Sequence, residues 1–402
     1  MARTDTLGNF LTDVAIAIRN KKGTTDTIVA SNFDTEIESI ETGGGTTEPI
    51  FTGHYDTEGL RQIGWTDEEI EYYNQNGVQW NSSEDNYFKL TQTELAGDDS
   101  KNTRFIPKNS TKTSFNNYYK LLAIPNINTN NNTGMSSMFN NCYLLTTIPQ
   151  LDTSNVTNMN RMFYNCYSLT TIPQLNTSKV TTMSNMFYRC YSLTMIPQLN
   201  TSSVTNMDNM FSSCNSLKTI PQLNTSSVTT MNYMFSSCYS LKTIPLLDTS
   251  SVTDMSGMFH SCYSLITIPQ LDTSKVTTMN GMFNNCSSLI TIPQLNTSSV
   301  TDMNGMFYIC SSPETLGGFL NLGQAYKTTA SANSSSYKLD LSSCKKLTEQ
   351  SLINVLTNLY DIKTKGCKAQ QVVIGSTNLA KLTSEEGQQA LSNAQAKGWT
   401  VS

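Results

Sequence analysis

Apolar residues recur at fixed intervals through the middle of the chain. In one stretch they are separated by three, three, one, three and three positions: Val180, Met183, Met186, Phe187, Cys190 and Leu193. Such spacing places side chains on one face of a helix or helical coil. Ile172 and Leu175 precede them, in a Thr-Ile-Pro-Gln-Leu segment where proline removes one ladder donor. We therefore predict one brief strand followed by a helical turn, capped by Asn176, Thr177 or Ser178.

This unit repeats every 24 residues. Eight cysteines mark the interval: Cys142, Cys166, Cys190, Cys214, Cys238, Cys262, Cys286 and Cys310. A period between 20 and 50 residues is typical of a solenoid, in which stacking buries a face that no single coil can bury. The repeats predict an α/β solenoid of 24-residue coils, each with a short parallel strand plus a helical turn, over residues 106–313.

The remaining sequence is expected to form three further parts. Residues 1–45 carry an amphipathic pattern and predict a helical N-terminal anchor or oligomerisation segment. Residues 46–105 predict a small helical linker domain, with a helix starting at Thr66 and Gly77 as its C-cap. Residues 314–402 predict a C-terminal cap of strands near 337–341, 371–375 and 399–401 with two intervening helices, since an open apolar end would aggregate.

Composition narrows the possible partners. The net charge is -5 and only 14% of residues are charged. A nucleic-acid groove would need clustered Lys and Arg, so none is expected. No stretch approaches the ~20 apolar residues of a membrane span, so no membrane insertion is expected. The N-terminus lacks the apolar core of a signal peptide. We expect an intracellular protein, or one that leaves the cell without a cleaved leader.

The cysteine spacing allows two interpretations. Equivalent positions on neighbouring coils stack about 4.8 Å apart, within the range that disulfides tolerate. A buried free cysteine, however, behaves as a small apolar residue, and assembly in a cytosol would keep it reduced. We favour a column of buried thiols.

The repeat resembles a known family. The pattern L-x-x-I-P-x-L-[DN]-T-S-x-V-T-x-M-x-x-M-F-x-x-C-x-x-L over residues 121–313 resembles the BspA-like leucine-rich repeats of bacterial surface antigens. The opening residues 2–37 resemble N-termini of tail-associated proteins in phages and prophages of gut Firmicutes, and the ending is similar to their leucine-rich caps. The resemblance implies a leucine-rich-repeat virion component with an N-terminal attachment and repeats facing the host.

Catalytic chemistry is not expected. Only two histidines occur, His54 and His260, far apart in sequence, and His260 falls in a variable slot that we expect to face solvent. There is no metal-ligand spacing, phosphate loop or cofactor turn. The array's acids are isolated rather than paired. We predict no enzyme activity, no catalytic residue, no metal and no cofactor.

Columns that vary between coils indicate the outward surface. The candidate ligand-binding residues are a threonine column (Thr147, Thr171, Thr219, Thr243, Thr267, Thr291), a glutamine column (Gln150, Gln174, Gln198, Gln222, Gln270, Gln294), a lysine pair (Lys218, Lys242) and a tyrosine column (Tyr143, Tyr167, Tyr191, Tyr239, Tyr263). Evenly spaced hydroxyls, amides and rings suit a repetitive polymer such as a glycan. The alternative is that they only solvate the strand face and fill gaps between coils.

These observations predict a non-enzymatic binding protein. We expect a phage tail receptor-binding or host-surface adhesion component, located in the virion and present in the host cytoplasm during assembly. Its expected partners are a bacterial surface glycan or protein receptor and, through residues 1–45, other virion tail proteins and copies of itself. The alternatives are a structural or decorative virion spacer and an adhesin on the bacterial cell surface.

Overall fold

The computed structural model describes residues 57–75, 90–325, 338–367 and 370–402. The predictions for residues 1–45, His54 and Gly77 lie outside the described residues. The chain divides into two compact units, Met1–Thr57 with Tyr73–Lys89, and Glu58–Tyr72 with Leu90–Ser402. The surfaces and cavities discussed below belong to the second unit.

The described elements are short. The helices are α1 (Thr57–Gln62), α2 (Asp67–Gln75), α3 (Gln92–Leu95), α4 (Glu349–Thr357), α5 (Ser376–Leu379) and α6 (Glu385–Ala396). The strands are β1 (Thr291–Ile292), β2 (Leu295–Asn296), β3 (Thr315–Leu316), β4 (Phe319–Leu320), β5 (Lys338–Asp340), β6 (Gln370–Val373) and β7 (Trp399–Val401). No helix of the described ranges is long and apolar enough to cross a bilayer.

The repeats stack through bonds between residues 24 positions apart. Parallel bridges join Asn158 to Thr182, Thr182 to Asn206 and Asn206 to Thr230, and the series continues to Asp302. Two-residue parallel strands appear only at the end of the array, where β1 pairs with β3 and β2 with β4. The expected strand at every Thr-Ile-Pro segment is therefore wrong for most coils. The regular ladder follows the apolar Val of each coil instead.

The predicted helical turn in each coil is also wrong, because residues 106–313, all of them described, contain no α-helix. Backbone donors alternate between two kinds of acceptor. Met186 N bonds Met183 O within its coil (3.1 Å), whereas Phe187 N bonds Met210 O of the next coil (2.9 Å). Asn185 and Arg189 adopt positive φ values of 58°. Left-handed residues at four-residue intervals stop a right-handed helix from propagating and leave a chain of tight turns.

The inward positions match the sequence prediction. Ile172, Leu175, Val180, Met183, Met186, Phe187, Cys190 and Leu193 are all buried. The phenylalanine rings stack between coils, with Phe163 and Phe187 centroids 5.5 Å apart. The favoured interpretation of the cysteines is observed, since the ten cysteines are free thiols and those of the array are buried. Cys190 Sγ, for example, donates to Phe163 O at 3.1 Å.

The C-terminal strands form one parallel sheet of order β5-β6-β7. Helix α4 begins after Thr348, whose side chain accepts a bond from Ser351 N, and α6 begins after Ser384, which caps Gly387 N. Both starts follow from hydroxyl caps that satisfy free N–H groups. The predicted strands and the two longer helices of this segment are observed, and their apolar residues continue the core of the array.

Candidate functional site

A groove of about 1670 Å³ crosses the coils from Gln150 to Asp272. Its lining residues belong to the segment Gln-Leu-[Asp/Asn]-Thr-Ser of six successive coils, with Leu246 in place of the glutamine in one of them. The Leu and Thr of each repeat are buried, so the accessible lining consists of the other three positions. We name these the glutamine column, the Asx column and the serine column. The members of the serine column that line the groove are Ser154, Ser178, Ser226 and Ser250. The Asx column comprises Asp152, Asn176, Asn200, Asn224, Asp248 and Asp272.

The glutamine column ties neighbouring coils together. Gln150 Nε2 donates to Leu151 O (3.2 Å) in its own coil and to Gln174 O (2.7 Å) in the next. Gln174 and Gln198 repeat the arrangement. The donor side of each amide is thus engaged, while the side chains remain exposed. The column both satisfies main-chain carbonyls and presents amide oxygens to the groove.

The Asx column caps the turn that follows it. Asn176 Oδ1 accepts bonds from Ser178 N (3.1 Å) and Ser178 Oγ (2.8 Å). This is the local side-chain bond that Asn, Asp and Ser make at turns. Because Oδ1 is occupied, the Nδ2 group remains for a ligand. Among the described residues no hydrogen bond is recorded for Nδ2 of Asn176, Asn200 or Asn224.

Three carboxylates give the groove its charge. Hydrogen bonds from the Ser154 side chain and backbone hold the pKa of Asp152 below its usual value. Ser250 lowers the pKa of Asp248 in the same way. The Ser274 backbone and then its side chain lower that of Asp272. All three are therefore ionised at neutral pH. None of the residues lining the groove is Lys, Arg or His, so the groove disfavours an anionic ligand.

One apolar residue interrupts the glutamine column. Leu246 is 63% exposed and lines the groove, and its carbonyl accepts Gln222 Nε2 at 2.6 Å. An exposed leucine within a polar lining is a contact point for an apolar face of a ligand.

The structure gives different places to the predicted columns. Gln150, Gln174, Gln198, Gln222 and Gln270 line the groove, and Gln294 is exposed beyond it. Lys218 and Lys242 are exposed and are not among its lining residues. In the threonine column, Thr219 and Thr243 are exposed and Thr171, Thr267 and Thr291 are half-buried. The assignment of Thr147 as outward is wrong, because it is fully buried.

The tyrosine column lies outside the groove lining and forms ring stacks. Tyr143 and Tyr167 have centroids 4.7 Å apart with an interplanar angle of 4°, and Tyr167 stacks on Tyr191 at 5.0 Å. Tyr239 and Tyr263 form a separate pair at 4.8 Å. The break falls at Asn215, which occupies the same position in the intervening coil.

The array supplies little that could perform catalysis. His260 is half-buried rather than solvent-facing, because its slot lies beside Tyr233 of the preceding coil (ring centroids 6.4 Å apart). Burial lowers the pKa of His260, so it is neutral at pH 7. Within the described ranges, no group of three His, Cys, Asp or Glu side chains could hold a metal ion.

The sequence analysis does not identify the Asx and serine columns as groove-lining positions. Every coil carries Asp or Asn followed two residues later by Ser, and that constancy was interpreted only as helix capping. No sequence signal separates a cap from a groove-lining residue at this position, because Asp and Asn serve equally well as caps.

The repeat region matches a family described as "Mycoplasma protein of unknown function, DUF285". Three overlapping matches cover residues 109–219, 192–267 and 263–315, together slightly more than half of the chain. The chain belongs to this family. It is a BspA-type repeat family, so the BspA-like part of the predicted resemblance is confirmed. The bridges between residues 24 positions apart make the array a solenoid. A search of curated proteins finds no match.

Several solved leucine-rich-repeat structures are similar to the chain. A leucine-rich-repeat protein of T. pallidum shares 20% identity, covering 44% of this chain and 71% of its own, with a TM-score of 0.24. A leucine rich cell surface protein of Faecalibacterium prausnitzii shares 18% identity (54% and 76% covered, TM-score 0.23). An internalin of Listeria monocytogenes shares 11% (65% and 76%, TM-score 0.24). Values this low say nothing about what the present chain binds.

Proposed function

We propose that the repeat array is the host-surface binding element of a phage tail protein and that it acts without catalysis. In this proposal residues 1–45 attach the chain to other virion tail proteins and to copies of itself. The protein is assembled in the host cytoplasm and acts in the virion. Its ligand is a glycan or protein receptor on the bacterial surface. The resemblance of residues 2–37 to phage tail-associated N-termini supports the virion location.

The observation that carries the binding role is the groove. Its polar columns run from Gln150 to Asp272, with the glutamine column interrupted at Leu246, so a ligand with its own repeat could make the same contact several times. Solenoids generally bind through such extended surfaces. Many weak contacts along one polymer add up, because after the first contact the rest are intramolecular.

The groove's chemistry favours a neutral, hydroxyl-rich chain. The Nδ2 groups of Asn176, Asn200 and Asn224 can donate hydrogen bonds to ligand hydroxyls. The exposed Gln side chains present amide oxygens that can accept hydrogen bonds from the same hydroxyls. The carboxylates of Asp152 and Asp248 repel anions. A neutral surface glycan meets all three conditions, with Leu246 available to an apolar ring face.

The test exploits variation between the coils themselves. Asp occupies the Asx column at Asp248 and Asp272, so Asn176→Asp with Asn200→Asp keeps the Oδ1 cap and changes only the exposed donor. We expect adsorption of the full chain to host cells to fall at least tenfold, since two donors become repelling acceptors. Adsorption equal to that of the wild type would contradict the groove as the binding site.

The matched control adds the same two charges elsewhere on the array. Asn158→Asp with Asn206→Asp alters bridge residues outside the groove lining, at a position where other coils carry Asp254. The control should adsorb like the wild type.

A spacer predicts no adsorption by the purified full chain and continued infectivity of particles lacking the array. A bacterial adhesin predicts the chain on the cell surface and not in purified virions.

A further inference from the structure

A second surface of the array combines tyrosine rings with unpaired cations. Arg161 lies over the ring of Tyr164 (5.6 Å from guanidinium carbon to centroid), and Arg189 lies over Tyr188 (5.2 Å). The two rings stack on each other at 4.7 Å with an interplanar angle of 12°. These four residues, here called the Tyr-Arg patch, come from consecutive coils and share no residue with the groove lining.

The patch continues into the tyrosine column. Burial acts to lower the pKa of Arg189, but the combined electrostatic interaction with Tyr188, Tyr191, Tyr167 and Tyr164 outweighs it and raises the pKa. Arg189 therefore interacts with members of both stacks, the Tyr164–Tyr188 stack and the stack that contains Tyr167 and Tyr191.

The cations of the patch lack an acidic partner. Within the part of the chain that the structure describes, no carboxylate lies within ion-pair distance of Arg161 or Arg189. Charges are also distributed unevenly along the array. Residues 121–245 hold five Lys or Arg and two Asp, whereas residues 246–313 hold one Lys and four Asp. The half of the array that carries the patch is thus the basic half, and it attracts anions.

Ring geometry decides which anion fits. Because the tyrosines stack face to face, each ring presents chiefly its edge outward. Ring edges carry the positive part of the aromatic quadrupole and so favour negative groups. Nucleic acids bind to open ring faces, onto which successive bases stack, and the faces here are largely occupied. Hydroxyls of a sugar chain can instead meet the polar ring edges while its acidic groups meet the guanidinium groups.

We propose that the Tyr-Arg patch is a binding site for an acidic polysaccharide, separate from the groove and independent of the function proposed for it. The carboxylate or other anionic substituents of the polymer pair with Arg161 and Arg189. The sugar hydroxyls contact the edges of the two tyrosine stacks.

The repeats supply variants that other coils already tolerate. Asn185 occupies the position of Arg161, and Asn165 occupies that of Arg189, both at positive φ. The variant Arg161→Asn with Arg189→Asn therefore keeps the backbone and removes only the two cations. Ser212 and Ser236 likewise justify Tyr164→Ser with Tyr188→Ser. Lys179→Ser with Lys275→Ser is the control, because it removes equal charge away from the patch at a position where other coils carry Ser203.

The experiment measures binding of the full chain to polygalacturonate, neutral pullulan and poly(dT). We expect tighter binding to polygalacturonate than to the other two, weakened by salt. The arginine variant should lose at least tenfold affinity and the tyrosine variant at least threefold, while the lysine control stays within twofold of the wild type. Circular dichroism checks that each variant is folded.

Three results would overturn the proposal. The first is an equal loss of affinity in the arginine variant and the lysine control, which would show that binding depends on net charge and not on the patch. The second is poly(dT) bound as tightly as polygalacturonate with the same arginine dependence, which would indicate nucleic acid. The third is wild-type affinity in the tyrosine variant. The groove variant Asn176→Asp with Asn200→Asp should bind polygalacturonate within about threefold of the wild type, so the two proposals fail separately.

Discussion

Gln174 Nε2 donates a 2.6 Å hydrogen bond to the main-chain oxygen of Gln198, its equivalent one coil further along. The bond satisfies a carbonyl at the edge of the groove that no backbone donor is recorded to meet. The glutamine column is therefore part of the scaffold as well as of the candidate binding surface. The hydrogen bond supports gap filling between coils by Nε2, while ligand contact through the amide oxygen stays a prediction.

The first prediction concerns the break in that column. Replacing Leu246 with Gln should add a bond to Gln270 O, because each glutamine that precedes another in the groove makes the equivalent contact. We expect an increase of about 0.5 kcal/mol in the free energy of unfolding, since a net hydrogen bond contributes about 1 kcal/mol and this one is exposed. Urea unfolding measures it. Gln198→Leu, the reverse change, should destabilise the protein by a similar amount. Unchanged urea midpoints in both variants would contradict a stabilising role for the glutamine bonds.

The second prediction concerns a strained residue at the last coil. Ile309 has a φ of 56°, at a position that other coils fill with Asn, Ser or Arg. A β-branched residue is an outlier in the left-handed region, whereas Asn is tolerated there. Ile309→Asn should therefore stabilise the protein by about 1 kcal/mol. Thermal unfolding tests this against Ile309→Val, which keeps the branch and should gain nothing.

The sequence predicts the inward face of each coil but not its tight turns. The spacing from Val180 to Leu193 predicts the buried residues of that stretch, because burial depends on which side chains share a face. It could not distinguish a helix from successive turns, since both return to one face every three or four residues. What separates them is the left-handed backbone at Asn185 and Arg189 and the bonds to the next coil. Neither appears in the apolar pattern of a single unit.

The groove and the Tyr-Arg patch were less accessible to sequence reasoning for a related reason. Comparing coils identifies outward columns but does not say which of them face the same cavity. Asn176 was assigned to capping, which its Oδ1 does perform, and the remaining donor at Nδ2 became visible only with the bonds in place. Arg161 and Arg189 occupy different columns and are brought to one surface by the stacking of Tyr164 on Tyr188.

The third prediction concerns the thiol column at alkaline pH. Burial raises the pKa of seven array thiols, Cys142, Cys166, Cys190, Cys214, Cys238, Cys262 and Cys286. The folded state keeps these protons, whereas the unfolded chain releases them above about pH 8.5. Stability is then fully present below that pH and falls as the pH rises, by about 1.4 kcal/mol per thiol at pH 9.5.

A single substitution tests the prediction for the thiols. Cys214→Ala removes a single titrating group, so its stability should fall less steeply than that of the wild type between pH 8 and pH 10. Urea midpoints across that range give the two slopes. Cys238→Ala, which removes another of the seven buried thiols, should reduce the slope by a similar amount. Equal slopes for Cys214→Ala and the wild type would show that these thiols do not control alkaline stability.

The fourth prediction concerns acid stability at the start of the array. Glu94 is 4% exposed and accepts bonds from Arg104 Nη2 (2.6 Å) and Thr91 N (2.9 Å). Burial alone would raise the pKa of Glu94, but these bonds outweigh it, and the pKa lies below its usual value. A depressed folded pKa means that this contribution is present above the unfolded value of about 4.3 and is lost as the pH falls through the folded pKa.

Glu94→Gln should therefore lower the free energy of unfolding by about 2 kcal/mol at pH 7, because it leaves Arg104 partly buried without its charge partner. The difference from the wild type should shrink as the pH falls below 4, where the wild-type carboxylate gains its proton as well. Thermal unfolding from pH 7 to pH 2.5 measures both effects. Glu314→Gln, at an exposed glutamate, should match the wild type at pH 7. A constant difference at every pH would assign the loss to packing rather than to the ionised carboxylate.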